Sequence, residues 1–217
     1  TNTLTLLNDY ATGNHPLPEG DQRARDLFKS FQRKARTNYC GLVVSSVNER
    51  LHVEGIRAGG SGSSLTDAES WDVWQRNHLD ADSELVHDCA LTLREAFVIV
   101  GAPDGQAVTS IESPFDVIAE PDPLDRRMLR AALKLWNDDL HAERRAVLFL
   151  PDSIHYAVAP EPSGTFDRLR WYETADDFSA EPDTYSNPLG RVPVVRFVNR
   201  PTIHGDGRSE FEDALDV

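Results

Sequence analysis

The chain has 217 residues, 40% of them hydrophobic and 27% charged, with a formal net charge of −14. That length suits one large domain or two small ones with an apolar core that needs no covalent staples, and the composition excludes a disordered chain. The acidic balance argues against a tight nucleic-acid binder, which neutralises phosphates with Lys and Arg, yet an acidic wall suits a polymer that must slide past without sticking.

Residues 8–20, rich in turn formers and carrying Pro16 and Pro18, read as an N-terminal arm leading into structure. A helix is expected from Asp21, where Leu27, Phe28, Phe31 and Ala35 recur at helical spacing while Arg25, Lys29 and Arg33 line another face at i, i+4, i+8. Leu42, Val43, Val47 and Leu51 extend the pattern into a second helix. Residues 52–57 are expected to form a short strand, and the glycine- and serine-rich residues 58–64 a loop. Helices follow over 65–79, with Ala68, Trp71 and Trp74 turned inward, and over 80–95, with Leu85, Cys89, Leu93 and Ala96 on one stripe. Phe97 to Val100 is a buried strand by its β-branched character.

Beyond Gly101 the period changes to two. Strands are expected over 108–112, 116–120, 129–137, 142–150, 153–158, 169–173 and 192–198, punctuated by stretches rich in Pro and Asp. The last residues, 208–217, start another helix by pattern, with Ser209 as cap and Phe211 and Leu215 at i, i+4. The fold class is therefore α+β: a helix-rich N-terminal half packed on a mostly antiparallel, β-rich C-terminal half. Thr1 opens without Met and Val217 falls within a helical pattern, so both ends are expected to be internal to a longer chain. No apolar run approaches the roughly 20 residues that span a bilayer, so a soluble, cytoplasmic chain without membrane contact is expected.

Chemistry-bearing motifs are sparse. There is no GxSxG elbow, and Gly60-Ser61-Gly62-Ser63 lacks the Lys that a phosphate cradle needs. The seven histidines are scattered, with no HExxH, and Asp80 and Asp82 lack the remaining ligands of a calcium loop, reading instead as carboxylates at a helix N-terminus. Cys40 and Cys89 read as small residues on buried helix faces, with nothing to pair them into a disulfide. No catalytic, cofactor or metal residue is assigned. The one basic concentration, residues 23–36, is a solvated helix face on the simplest account; subunit contact through Arg25, Lys29 and Arg33 is the second account, and DNA contact the third.

Several segments together resemble the Gp6-like portal proteins of tailed phages, of the kind found in actinobacterial phages. They are LLNDYATGNHPLPEG; Asn38-Tyr39-Cys40 with LVVSSVNERL and HVEGIR; and TDAESWDVWQRNHLDADSELVHDCALTLREAFVIVG. The clearest is residues 187–199, NPLGRVPVVRFVN, followed by GDGRSEFEDALDV. Physically this is a scaffold motif: Asn187-Pro188 starts a turn, Gly190 supplies a positive φ, Pro193 enters a strand without a ladder donor, and Asn199 closes into the next turn. Phe197 is expected to face the core.

The resemblance implies an assembly protein and not an enzyme, working without cofactors. It implies a ring of identical subunits, dodecameric in the family, at one capsid vertex of the virion, assembled in the host cytoplasm. Double-stranded DNA passes through as transient cargo, and terminase, capsid or scaffold proteins and head-completion proteins are the partners. Within that frame residues 1–20 are an arm, 21–100 the helical part of the wing, 101–207 its β-rich part, and 208–217 the approach to the stem. A freestanding wing-like interaction module is the alternative.

Overall fold

The computed structural model describes residues 3–15, 37–57, 67–102, 105–160 and 183–215. Helices α1 (Thr3–Ala11), α2 (Tyr39–Asn48), α3 (Asp67–Arg76) and α4 (Leu79–Leu93) precede eight strands: β1 (Glu95–Gly101), β2 (Val108–Glu112), β3 (Val117–Pro121), β4 (Leu129–Asp138), β5 (Glu143–Phe149), β6 (Ser153–Pro160), β7 (Asp183–Ser186) and β8 (Val194–Val198). The fold is α+β, and among the described residues every strand pair is antiparallel. One sheet has three strands in the order β2-β1-β8; the other is a five-stranded meander, β3-β4-β5-β6-β7, inserted between β2 and β8.

Three layers result. Helix α4 covers one face of the small sheet, with Val86 and Ala90 against Ala96 and Val98. The opposite face lies on the large sheet, where Phe97, Val192 and Val194 meet Val117, Ala132, Val147 and Phe149. Alternation along β1 sends successive side chains to opposite layers, which is why Ala96, Phe97 and Val98 are all buried. A charged clamp joins the sheets at one margin: Lys134 Nζ on β4 lies 2.5 Å from the buried Glu112 carboxylate on β2.

The helices form a further core in which Leu7, Val44, Leu91, Leu93 and Phe211 pack together. Asn38 fastens α2 to α1: its Oδ1 accepts from Gly41 N at 2.8 Å and its Nδ2 donates to Ala11 O at 2.6 Å. Asn77 does the same at the α3–α4 corner, donating to Ala107 O and accepting from Thr109 N, so that β2 is held against that corner. Asp80 and Asp82 occupy the first turn of α4, as the sequence suggests.

Several expectations are corrected. Residues 3–11 are a helix with Leu7 fully buried and not part of an arm; the turn signals begin only at Thr12, and Gly13 at φ +75° ends the helix. Residues 52–57 form no strand. On α2 the buried side chains are Val44 and Asn48, while Leu42 and Val43 are exposed. On α4 Leu85 is exposed and the buried stripe runs through Val86, Ala90 and Leu93, one position round the helix. Trp71 and Trp74 stack on each other at 6.0 Å, half-buried, and Ala68 is exposed. Strand β7 falls in a stretch that reads as punctuation. In place of a C-terminal helix, the described residues carry one 3-10 turn, Glu212–Ala214. The helix expected from Asp21, the loop over 58–64 and the strand over 169–173 lie outside the described residues.

Phe197 is also corrected. Its partner across the ladder is Ala96, so it points to the helical side of an edge strand, where it is 40% exposed; Val194 points between the sheets and is 5% exposed. Val194→Asp is expected to cost more than about 3 kcal/mol by burying an unpaired charge, against about 1 kcal/mol for Phe197→Asp. Thermal melts followed by circular dichroism would check this; equal losses would mean that β8 is oriented otherwise.

Candidate functional site

Residues 187–199 carry the chain from the large sheet back to the small one, and their polar atoms hold backbone together. Asn187, 5% exposed, donates through Nδ2 to Leu150 O and to Arg191 O, both at 2.8 Å, and its Oδ1 accepts from Leu189 N. One side chain thus ties the β5–β6 hairpin to the turn that follows β7. Gly190 completes that turn at φ +61°, where only glycine is free of a Cβ penalty. Pro193 lies just before β8 and accepts from Val100 N through its carbonyl at 2.8 Å. Pro188 occupies the exposed turn.

Asn199 begins a second knot. Its N–H donates to Arg94 O, and its Nδ2 donates to Arg208 O at 2.8 Å and to the Glu210 carboxylate at 3.1 Å. Ser209, fully buried, donates its hydroxyl to Leu91 O at 3.1 Å, and Glu210 N donates to the same carbonyl. Arg94, in the left-handed region at φ +76°, forks onto Glu212, whose carboxylate also accepts from Ser209 N. The orphan carbonyls at the end of α4 are satisfied by the segment that leaves β8, and Phe211 anchors that segment in the helical core. With Ser209 committed to Leu91 and Phe211 drawn inward, residues 208–215 follow the end of α4 and wind into only a single 3-10 turn.

The large sheet overhangs the small one. Trp136, Arg145, Tyr156, Val158, Asp183 and Tyr185 line an open groove of about 450 Å³ on the same face as the sheet–sheet core. Tyr156 and Tyr185 meet edge to face at 5.5 Å. Asp138 is held below the usual carboxylate range, first by the hydrogen bond from His141 and then by the Arg145 guanidinium at 2.9 Å. Elsewhere, burial lifts the Cys89 thiol to about 11, with the Asp88 carboxylate adding to it, and burial raises Asp88 itself. Cys40 and Cys89 are both free and half-buried.

Among the described residues no cluster of His, Cys, Asp and Glu could hold a metal ion, and no helix is long and apolar enough to cross a membrane. What the geometry offers is shape: polar side chains committed to backbone groups, and an aromatic groove at a sheet margin. The residues of 187–199 are brought together around the seam between the sheets, whereas Arg25, Lys29 and Arg33 lie outside the described residues. Arg94, Glu212 and the groove aromatics are the positions that sequence reasoning misses, and Ser209, expected as a helix cap, instead donates to Leu91 O. A left-handed Arg carries no sequence signal, and Tyr185 sits in a short strand between Pro-rich stretches.

The described residues form a two-layer β unit with helices on one side, its seams held by side chains committed to backbone groups. The family model "Phage portal protein, SPP1 Gp6-like" matches residues 3–217, and the chain belongs to that family, which is structural rather than catalytic. It is similar to the portal protein of Mycobacterium phage L5, 29% identical over 178 residues that cover 78% of this chain and 33% of that protein. It is also similar to the portal protein of Mycobacterium phage D29, 28% identical over 177 residues, 76% of this chain and 33% of the relative. The chain thus spans about a third of the length of these relatives.

Two outcomes follow. Asn187→Ala removes the donor from two part-buried carbonyls and should cost about 1–2 kcal/mol; a denaturant midpoint equal to that of the parent would show that water replaces the amide. For Cys89 the folded value of about 11 lies above the ordinary 9.0, so its contribution is intact below pH 9 and is lost as pH rises towards 11. Stability should fall across that window, and fall less in Cys89→Ala; parallel curves for the two proteins would rule the thiol out.

Proposed function

We propose that the chain is the wing-side portion of a portal subunit: one wall segment of a ring at a capsid vertex, through which double-stranded DNA passes during packaging and ejection and to which the tail connects. The observation that carries this reading is the family match along residues 3–217. On this reading residues 1–20 open the chain, 21–100 and 101–207 are the helical and β-rich parts of the wing, and 208–217 approach the stem. The subunits assemble in the host cytoplasm into a ring, dodecameric by family resemblance, and terminase, capsid or scaffold proteins and head-completion proteins are its partners. The knot at Asn199, Ser209 and Arg94 supports the boundary at 208, because it joins the outgoing segment to α4 by hydrogen bonds and not by a free linker.

Asn187, Pro188, Gly190, Pro193, Phe197 and Asn199 act as scaffold on this reading, and Arg25, Lys29 and Arg33 as subunit contacts. The net charge of −14 supports a conduit wall, since like charge keeps a duplex from adhering. A freestanding interaction module is not favoured by a portal-family match of that extent. Negative-stain microscopy of the full-length gene product should show closed rings with a central opening; monomers that persist at high concentration would refute the assignment.

A further inference from the structure

A ring of identical subunits needs two unlike faces on each copy, one received by the other. The groove is one candidate face, and the opposite end of β4 carries a second feature. Leu124, 97% exposed, and Ile203, 89% exposed, stand at the tips of two adjacent loops. These loops are ordered by hydrogen bonds. Asp122 Oδ1 accepts from Leu124 N at 2.7 Å and from Asp125 N, and Asp125 Oδ1 accepts from Arg127 N at 3.1 Å. Arg126 Nη1 bridges the loops by donating to Ile203 O at 2.6 Å, packed against Gly205 at φ +89°. Two aliphatic side chains thus stand almost wholly in water on neighbouring loops joined by a hydrogen bond, apolar surface that a contact with a neighbour would bury.

The geometry points to a head-to-tail contact between copies of this chain, in which the Leu124–Ile203 knob of one enters the Trp136–Tyr156–Tyr185 groove of the next. Three observations carry it. The first is chemical fit: aliphatic tips meet an aromatic groove that a three-stranded sheet is too narrow to cover. The second is charge. Asp122 and Asp125 turn their carboxylates onto backbone N–H groups, which leaves the Arg127 guanidinium, without a partner among the described residues, beside the knob. On the groove face, among the described residues, Arg145 is engaged by Asp138 and Glu143, and Lys134, over the Trp136 ring, is engaged by Glu112, which leaves the Asp183 carboxylate at the groove as the acid that answers Arg127. The third is position. From Leu129 to Trp136 the strand advances roughly 23 Å, so no chain reaches its own groove with its own knob. A repeated contact of this kind closes into a ring or runs on as a filament.

The contact rests on the ring reading only for closure; the pairing of surfaces stands on the geometry. Its test uses the full-length gene product. Copies carrying Leu124→Cys, mixed with copies carrying Tyr156→Cys and oxidised, should form a disulfide dimer that neither variant forms alone, and the double variant should give a ladder up to ring size. Arg127→Glu should reduce the assembled fraction at least ten-fold in sedimentation, and adding Asp183→Arg should restore it. All four positions lie on or at the edge of solvent, so folding is retained and is checked by circular dichroism. Rings that form without the 124–156 disulfide, or that ignore the charge reversal, overturn this contact and leave the ring reading standing. Monomers at every concentration, with no disulfide, overturn both.

Discussion

Strand β1 lies between helix α4 and the five-stranded sheet, so its two faces are buried against different layers. Ala96 and Val98 meet Val86 and Ala90 on one side, and Phe97 joins the sheet–sheet core on the other. An antiparallel strand usually keeps one face in water; this one cannot, because it is the central strand of the middle layer. Its neighbours inherit the constraint unequally. Strand β8, at the edge, buries Val194 between the sheets but leaves Val195 and Phe197 half-covered on the helical side.

The middle layer is also the narrower one. Among the described residues three strands face five, and the margin of the large sheet carries Trp136, which packs against the sheet–sheet core, with the exposed Tyr156 and Tyr185 beyond it. That margin is aromatic, and apolar tips stand exposed at the far end of β4. These are the two surfaces that the proposed contact between copies brings together.

The seams are held by amides and hydroxyls more than by charge. Asn38, Asn77, Asn187 and Asn199 each join two elements through backbone hydrogen bonds, and Ser209 closes the end of α4. An amide can donate and accept at once, so a single side chain satisfies carbonyls from two segments without desolvating an ion. Charged links among the described residues include Glu112 with Lys134 between the sheets, Arg196 with Glu95 between β8 and β1, and Arg94 and Arg200 with Glu212 and Asp213 of the outgoing segment. The consequence is a body whose outgoing segment, residues 207–215, is continuous with the helical core through Phe211.

Much of this was legible in the residues alone. Period-two patterning with Pro and Asp punctuation located β2, β4, β5 and β6 to within a few positions, because strand spacing and turn chemistry are local properties. The order of motifs, ending in NPLGRVPVVRFVN, carried the family, because Asn187, Gly190 and Pro193 answer to local backbone geometry that few other residues meet. What the tertiary structure decided was which side of each element faces in. Leu42 against Val44, Leu85 against Val86 and Phe197 against Val194 are equally apolar in sequence, and only the placement of a neighbouring layer separates them. The helix that residues 208–217 propose became a 3-10 turn for the same reason: Ser209 and Phe211 find partners on α4 and in the helical core, elements more than a hundred residues away, and long-range hydrogen bonds and burial outweigh local propensity.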